Sequence, residues 1–362
     1  MDNAATSPIC EAAKQAIIKH LDDFGNPSST HELGRQARVL IEDARERIAK
    51  CINADPSEIY FTSGGSEANT LALNNRRHVA STKFEHHSVV SDWPKISITK
   101  DGFIKAHKLN NMLSEWWDIP FDVMSCMHVN NEIGTIQPVK ELATIAHRYG
   151  IMFHTDAVQS IPYIPIDIKD IGCDMLSASG HKFGAPKGVG FLYANERSRI
   201  KPIINGGHQE NRKRPGTENV LGIIAMAAAL EDTVEHMVER NMYIKSLRDN
   251  LLEKLLKIDG AHVNGSFENR VPGNINIRFD GVSGSKLVTL CSLYGVYISS
   301  GSACNEGVAT PSHVLKAIGL SDSEALNSVR ITLGHHNTEE DVNTAADIIA
   351  GLVERIRLTN EF

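Results

Sequence analysis

The sequence predicts an α/β protein: a larger unit built on a mostly parallel sheet, followed by a smaller α+β unit. From Glu11 to about Glu235, strand-like runs such as Phe121 to Val129 alternate with helical stretches such as Val139 to Tyr149, the βαβ pattern a parallel sheet requires. From about Met237 onward an amphipathic helix, Leu247 to Ile258, leads into Gly273 to Phe279, whose alternation predicts a half-buried strand. The chain has 362 residues, 41% hydrophobic and 22% charged, which is enough material for two units.

The first element that carries chemistry is the run Ile59-Tyr60-Phe61-Thr62, followed by Ser63-Gly64-Gly65-Ser66-Glu67 and the helix-like Ala68 to Leu73. Strand, glycine turn and helix make a cup for an anion, because glycines let backbone N–H groups approach it and the helix N-terminus adds free donors. It is neither a Walker loop nor GxGxxG, and taken alone it reads equally as a helix cap. Next, Ile151 to Thr155 predicts a buried strand with Asp156 at its carboxyl end, where α/β sheets bind ligands. A carboxylate there can pair with the ring nitrogen of pyridoxal phosphate, or simply cap a helix. Finally, Ser177-Ala178-Ser179-Gly180-His181-Lys182-Phe183 sets a lysine in a small-residue turn after the apolar Met175-Leu176. A partly desolvated lysine forms a Schiff base with a carbonyl or with pyridoxal phosphate; by itself Lys182 is also compatible with a solvated turn.

Composition excludes several classes. The net charge of −7 gives no general attraction to nucleic acid or an anionic membrane, and the cluster Arg212-Lys213-Arg214 suits a subunit or phosphate contact instead. Six cysteines are scattered without a CxxC, which argues against a disulfide framework or a zinc ribbon and for a reducing cytosol. The start of the chain lacks a basic region and an apolar core, and the run Val220 to Leu230 is too short to span a membrane. A soluble cytoplasmic protein is expected. The pair His86-His87, ahead of the strand-like Ser88-Val89-Val90, is a poor chelate because adjacent strand residues face opposite ways; no metal is expected.

The ordered segments Asp2-Asn3-Ala4-Ala5-Thr6, Phe24-Gly25-Asn26-Pro27-Ser28, Glu85-His86, Val129 to Gly134, Ser179 to Lys182, Arg214 to Asn219 and Ser300-Gly301-Ser302-Ala303-Cys304 run nearly end to end. Together they resemble the fold-type I pyridoxal-phosphate enzymes and, within them, the cysteine desulfurases of the NifS/IscS kind. The resemblance implies a large domain with a seven-stranded type of sheet at 15–235. A small domain would comprise 1–14 and 236–362 and carry the cysteine loop.

The resemblance also implies roles. Lys182 would hold pyridoxal phosphate and shuttle protons, His86 would stack on its ring and assist acid–base steps, Asp156 would pair with the ring nitrogen and Gln159 would bond the ring oxygen. Gly65, Ser66, Ser179 and His181 would hold the phosphate, Thr217 would reach that of a neighbouring subunit in a C2 homodimer, and Arg330 with Asn131 and Asn26 would bind the substrate carboxylate. Cys304, in the small and polar stretch from Ser299 to Gly307, would take sulfur from L-cysteine as a persulfide, releasing L-alanine. The sulfur would pass to an iron-sulfur scaffold or a tRNA-thiolating enzyme. Cys10, Cys51, Cys126, Cys173 and Cys291 sit mostly in apolar contexts and read as buried structural thiols.

Alternatives are a selenocysteine lyase, a cystine lyase or another class V enzyme that works without a persulfide, and a scaffold that binds the cofactor without turnover. The sequence also departs from the family: Ser66 replaces a frequent threonine, Asn211 a frequent arginine, and Pro215 a serine or alanine. These changes bear on partner surfaces more than on chemistry.

Overall fold

The computed structural model of the protein describes residues 1–74, 76–89, 95–116, 121–301, 303–305 and 308–360; side chains at 303–305, 308, 309 and 360 lie outside the description. Its larger sheet is formed by β1 (Ile59–Thr62), β2 (Val79–Ser81), β3 (Val123–Ser125), β4 (Met152–Asp156), β5 (Met175–Ser179) and β6 (Gly190–Ala194), in the order β1-β6-β5-β4-β3-β2. Pairing is parallel from β2 through β5, and β6 runs against both β5 and β1. The sheet is therefore mostly parallel, with six strands among the described residues where the resemblance implied seven.

The carboxyl ends of β1, β4 and β5 share one edge. Gly190 of β6 stands opposite both Thr62 and Ser179, so the turn after β1 comes beside the end of β5. A Cβ at Gly190 would lie 2.5 Å from the Ala178 carbonyl oxygen and 2.7 Å from Gly64 Cα, so this approach needs a glycine. Helix Val139–Arg148 covers the sheet with Val139, Leu142, Ala143, Ile145 and Ala146 buried, the spacing of one apolar helical face.

The smaller sheet is antiparallel, in the order β7-β8-β12-β9, from β7 (Ala261–Val263), β8 (Asn274–Phe279), β9 (Ser299–Ser300) and β12 (Ser328–Thr332). A separate pair, β10 (Ala303–Asn305) and β11 (Val308–Thr310), sets Cys304 opposite Ala309. The predicted half-buried strand at Gly273 to Phe279 is instead buried on nearly its whole length. The polar side of the alternation goes inside because the Asn274 and Asn276 side chains donate to the Glu132 carbonyl, at 3.1 and 3.2 Å.

A 36-residue helix, Val220–Leu255, joins the two units. Its first turns, including Ile223, Met226 and Leu230, belong to the core of the larger sheet, and Ile244, Leu247, Leu251 and Leu255 to that of the smaller one. The helix expected at Leu247 to Ile258 is the end of this element. The strand expected over Phe121 to Val129 narrows to β3, although the Cys126 and His128 N–H groups beyond its end still donate to the His154 and Asp156 carbonyls of β4. Among the described residues no helix is long and apolar enough to cross a membrane.

Candidate active site

Residues 1–7 join the two sheets. Thr332 at the end of β12 donates its N–H to the Met1 carbonyl, and its own carbonyl accepts from Asn3. The next carbonyls, of Ala4 and Ala5, accept from Lys182 Nζ at 2.6 and 2.8 Å, and Ser7 N–H donates to the His181 carbonyl. Between this segment and the strand ends lies a cavity of about 240 Å³ whose lining includes Gly65, Ser66, His86, Asn131, Asp156, Gln159, Ser179, His181, Lys182 and Arg330.

Lys182 ends a short 3-10 turn, Gly180–Lys182, directly after β5. Burial, then the nearby Arg330 cation, lowers its pKa to about 8, so a useful fraction of the amine is neutral near physiological pH. Asp156 ends the neighbouring strand and accepts from Asn69 Nδ2 at 2.7 Å and from Val158 N–H at 2.9 Å. Burial nevertheless raises its pKa above the usual carboxylate range. A buried carboxylate in that condition is completed by a cation, and a protonated ring nitrogen is one.

The strand, glycine turn and helix form as the sequence predicts. Helix Gly65–Leu73 starts at the cavity with Gly64 at φ 152°, and a Cβ on Gly65 would lie 2.6 Å from Val158 Cγ2. Its first N–H groups lack intrahelical acceptors, as at any helix start, and the Ser66, Ser179 and His181 side chains stand beside them. Burial and the neighbouring Lys182 and Lys187 hold His181 neutral, with a pKa of about 4. Donors rather than fixed charges would meet a phosphate here. These residues fit pyridoxal phosphate: a cup for its phosphate, a carboxylate for its ring nitrogen and an amine for its aldehyde.

His86 is exposed as a residue, yet partial burial of its imidazole is the first cause that lowers its pKa. Its Nδ1 accepts from Ser88 N–H at 3.2 Å and lies 2.7 Å from Ser88 Oγ. Ser88 sits in a turn, not in the predicted strand, and Val90 lies outside the described residues. The chain leaves β2 early because Glu85 folds inward to accept from Met127 N–H, at 3.0 and 3.1 Å.

Sequence reasoning missed Asn69. Its amide donates to Ser88 Oγ at 2.8 Å and to Asp156 Oδ2 at 2.7 Å, tying Asp156 to the support of His86. The signal was present: Asn69 lies four residues beyond Gly65, hence on the same helix face one turn on, amid buried Ala68, Leu71 and Ala72.

Gln159 lines the cavity and donates to the Ala4 carbonyl at 2.9 Å. Arg330, on β12, donates from Nη1 to the Asn131 carbonyl and from Nη2 to Asp2, both at 2.9 Å. Asn131 therefore holds the guanidinium through its backbone, and the residue lines the cavity. Asn26 is not brought in; it is exposed, and its Oδ1 accepts from Ser28 N–H in a local turn. Thr217 is also exposed and lines a different cavity, with Ser63, Arg214 and Gly216. The Cys304 side chain lies outside the described residues. Of the other thiols, Cys126, Cys173 and Cys291 are buried, whereas Cys10 and Cys51 are half-buried because each sits at the rim of a helix. Within the basic cluster, Arg214 pairs with Glu67 at 2.8 Å and Lys213 donates to the Ile200 carbonyl.

The fold and this cavity belong to a known class: the chain is a member of the aminotransferase class-V family, whose model matches residues 1–344. It is 40% identical over 382 residues to the cysteine desulfurase IscS of Dictyoglomus turgidum, across 100% of this chain and 96% of that protein. The solved structure of a NifS-like protein from Rickettsia africae matches with a TM-score of 0.91 at 32% identity, covering 98% of both chains. SspA in complex with cysteine matches with a TM-score of 0.78 at 33% identity, covering 93% of this chain and 99% of that one. Within class V, the chain belongs to the cysteine desulfurases, a pyridoxal-phosphate-dependent enzyme class.

Proposed function

We propose that the protein converts L-cysteine to L-alanine and leaves the sulfur as a persulfide on Cys304 for delivery to an acceptor. The observation that carries this is the meeting of Lys182, Asp156 and Arg330 in one cavity of a desulfurase-family chain. Pyridoxal phosphate, when bound, supplies the electron sink that labilises bonds at the substrate's α-carbon. Gly65, Ser66, Ser179 and His181 would hold its phosphate, Asp156 its ring nitrogen, Gln159 its ring oxygen and His86 its face. Lys182 has a pKa suited to taking a proton from the α-carbon and returning one. Arg330 and Asn131 present donors to the substrate carboxylate. The Cys304 thiolate attacks the substrate sulfur; the new S–S bond forms as the C–S bond breaks, and protonation of the carbon fragment gives alanine.

The division into 15–235 and 1–14 with 236–362 remains part of this reading, with its boundary inside the joining helix. So does a C2 homodimer, supported by exposed Ile18, Leu21, Phe24, Val39, Val238 and Met242 on or beside the joining helix and the two helices, Glu11–Lys19 and Glu32–Cys51, that each pack against it, and by the outward place of Thr217. An acceptor for iron-sulfur or tRNA chemistry and a cytoplasmic setting complete it, in keeping with free thiols at Cys126, Cys173 and Cys291. The test is to supply L-cysteine and a reductant to the cofactor-loaded protein and to quantify alanine and sulfide for the parent and Cys304→Ala. Equal amounts from the parent and loss in the variant are expected; undiminished product from Cys304→Ala would sink the persulfide and favour a lyase.

A further inference from the structure

The Arg330 guanidinium is held by more than a substrate site requires. Nη1 donates to the Asn131 carbonyl, Nη2 to Asp2 Oδ1 at 2.9 Å, and buried Nε has no partner among the described residues. Asp2 is itself fixed twice: Ser299 Oγ–H donates to Oδ2 at 2.8 Å, and its backbone bridges in parallel to Thr332 at the end of β12. A carboxylate so placed does not behave as a flexible surface partner. It sets the plane of the guanidinium from one side and leaves donors on the other.

We propose that Asp2 is a positioning residue that orients Arg330 for the carboxylate of the amino-acid substrate. This rests on the assignment of Arg330 to that carboxylate. Two effects of Asp2 oppose each other. Its charge makes Arg330 less attractive to a second anion, while its oxygen holds the fork in the plane that a bidentate carboxylate needs. The geometric effect dominates, because a long guanidinium side chain released from one of two anchors loses the alignment of paired N–H groups. The charge of Asp2 also offsets the repulsion between Arg330 and Lys182, which share the cavity.

The experiment measures binding of L-cysteine and of cysteamine, which keeps the amine and thiol but lacks the carboxylate, through the visible absorbance change of the cofactor-loaded protein. Asp2→Ala should weaken L-cysteine by about tenfold, the scale of one charge-assisted hydrogen bond, and leave cysteamine within about twofold. Asp2→Asn keeps the oxygen without the charge and should bind L-cysteine as well as the parent or better. Ser299→Ala, which frees Asp2, should weaken L-cysteine in the same direction by less. Parent-like or tighter L-cysteine binding in Asp2→Ala overturns the proposal, as does equal weakening of both ligands. Arg330→Ala separates the two levels: if it discriminates cysteine from cysteamine while Asp2→Ala does not, only the role of Asp2 falls. If Arg330→Ala does not discriminate either, the carboxylate assignment falls and takes Asp2 with it.

Discussion

Asp156 ends β4 and Lys182 follows the end of the adjacent β5, so both are set by the register of one sheet, whereas Arg330 comes from the other sheet and is held by Asp2 and by Asn131. The half of the cavity proposed for the cofactor thus rests mainly on one core. The half proposed for the substrate is a joint between two, closed by the N-terminal segment, whose carbonyls at Ala4 and Ala5 hold the Lys182 amine. Rigid placement suits the half that must keep the cofactor through every turnover, and a joint suits the half that must admit and release a small amino acid. Perturbations on the two sides should therefore read out differently.

The largest effect is expected from Lys182→Ala. Loss of the amine should abolish the lysine-linked visible absorbance and lower alanine production by about 10²- to 10⁴-fold, the range for a positioned proton-transfer group. Absorbance spectra and product counts on the same sample check this. Near-parent turnover in the variant would refute the assignment.

Asn69→Leu comes next, because a residue of similar size then removes both N–H donors at once. Asp156 loses the bond at 2.7 Å and Ser88 the one at 2.8 Å. Pyridoxal-phosphate affinity should fall by about 10- to 100-fold, as for a hydrogen bond to a buried charge. The preference for L-cysteine over cysteamine, set in the other half, should not change. A loss of that preference would show that the two halves are not separable.

The placement of the residues proposed for the cofactor was largely legible in the sequence and that of the residues proposed for the substrate was not, for a physical reason. Asp156, Lys182 and the Ser63 to Glu67 turn each follow an apolar strand, and a strand's carboxyl end is a place that can be found from local pattern. Asn69 needed only the helical period from Gly65. Arg330, Asn131 and Asn26 were assigned through family likeness alone, since no local pattern says which residues meet across two cores. The structure places Arg330 and Asn131 in the cavity lining and leaves Asn26, assigned with them, outside it. Asp2 and Thr332 lie 330 positions apart, and their pairing depends on how the whole chain folds back. The strand expected at Ser88 failed because apolar Val89 and Val90 suggested a β run, while buried Glu85, bonded to Met127, turns the chain first.

The pH response of the cofactor half follows from the lowered Lys182 pKa. The amine must be neutral to capture the aldehyde, so uptake by cofactor-free protein should rise by about tenfold per pH unit below the pKa and level off above it. With burial and Arg330 holding that pKa at about 8, the plateau should begin near there. An unperturbed lysine would keep accelerating toward about 10.4. Absorbance-monitored mixing across this pH range decides between the two curves; a rise that continues well past pH 9 would mean that Lys182 is not desolvated as described.

The smallest effect is expected at the margin of the joint. Ser312 Oγ–H donates to Glu132 Oε2 at 2.6 Å, and the same oxygen accepts from Val314 and Leu315 N–H to cap the short helix His313–Ala317. Burial raises the Glu132 pKa, and Ser312 works against that shift. Ser312→Ala removes cap and donor together and should lower stability to urea by about 1 to 2 kcal/mol. Glu132 also receives Asn274 and Asn276 at its carbonyl, so the damage should stay with the smaller sheet and its edge. Pyridoxal-phosphate affinity, set at β4 and β5, should remain within about twofold of the parent, less than the effect of one hydrogen bond. If affinity falls in step with stability, the cofactor half depends on the small sheet after all, and the separation between a rigid half and a jointed one does not hold.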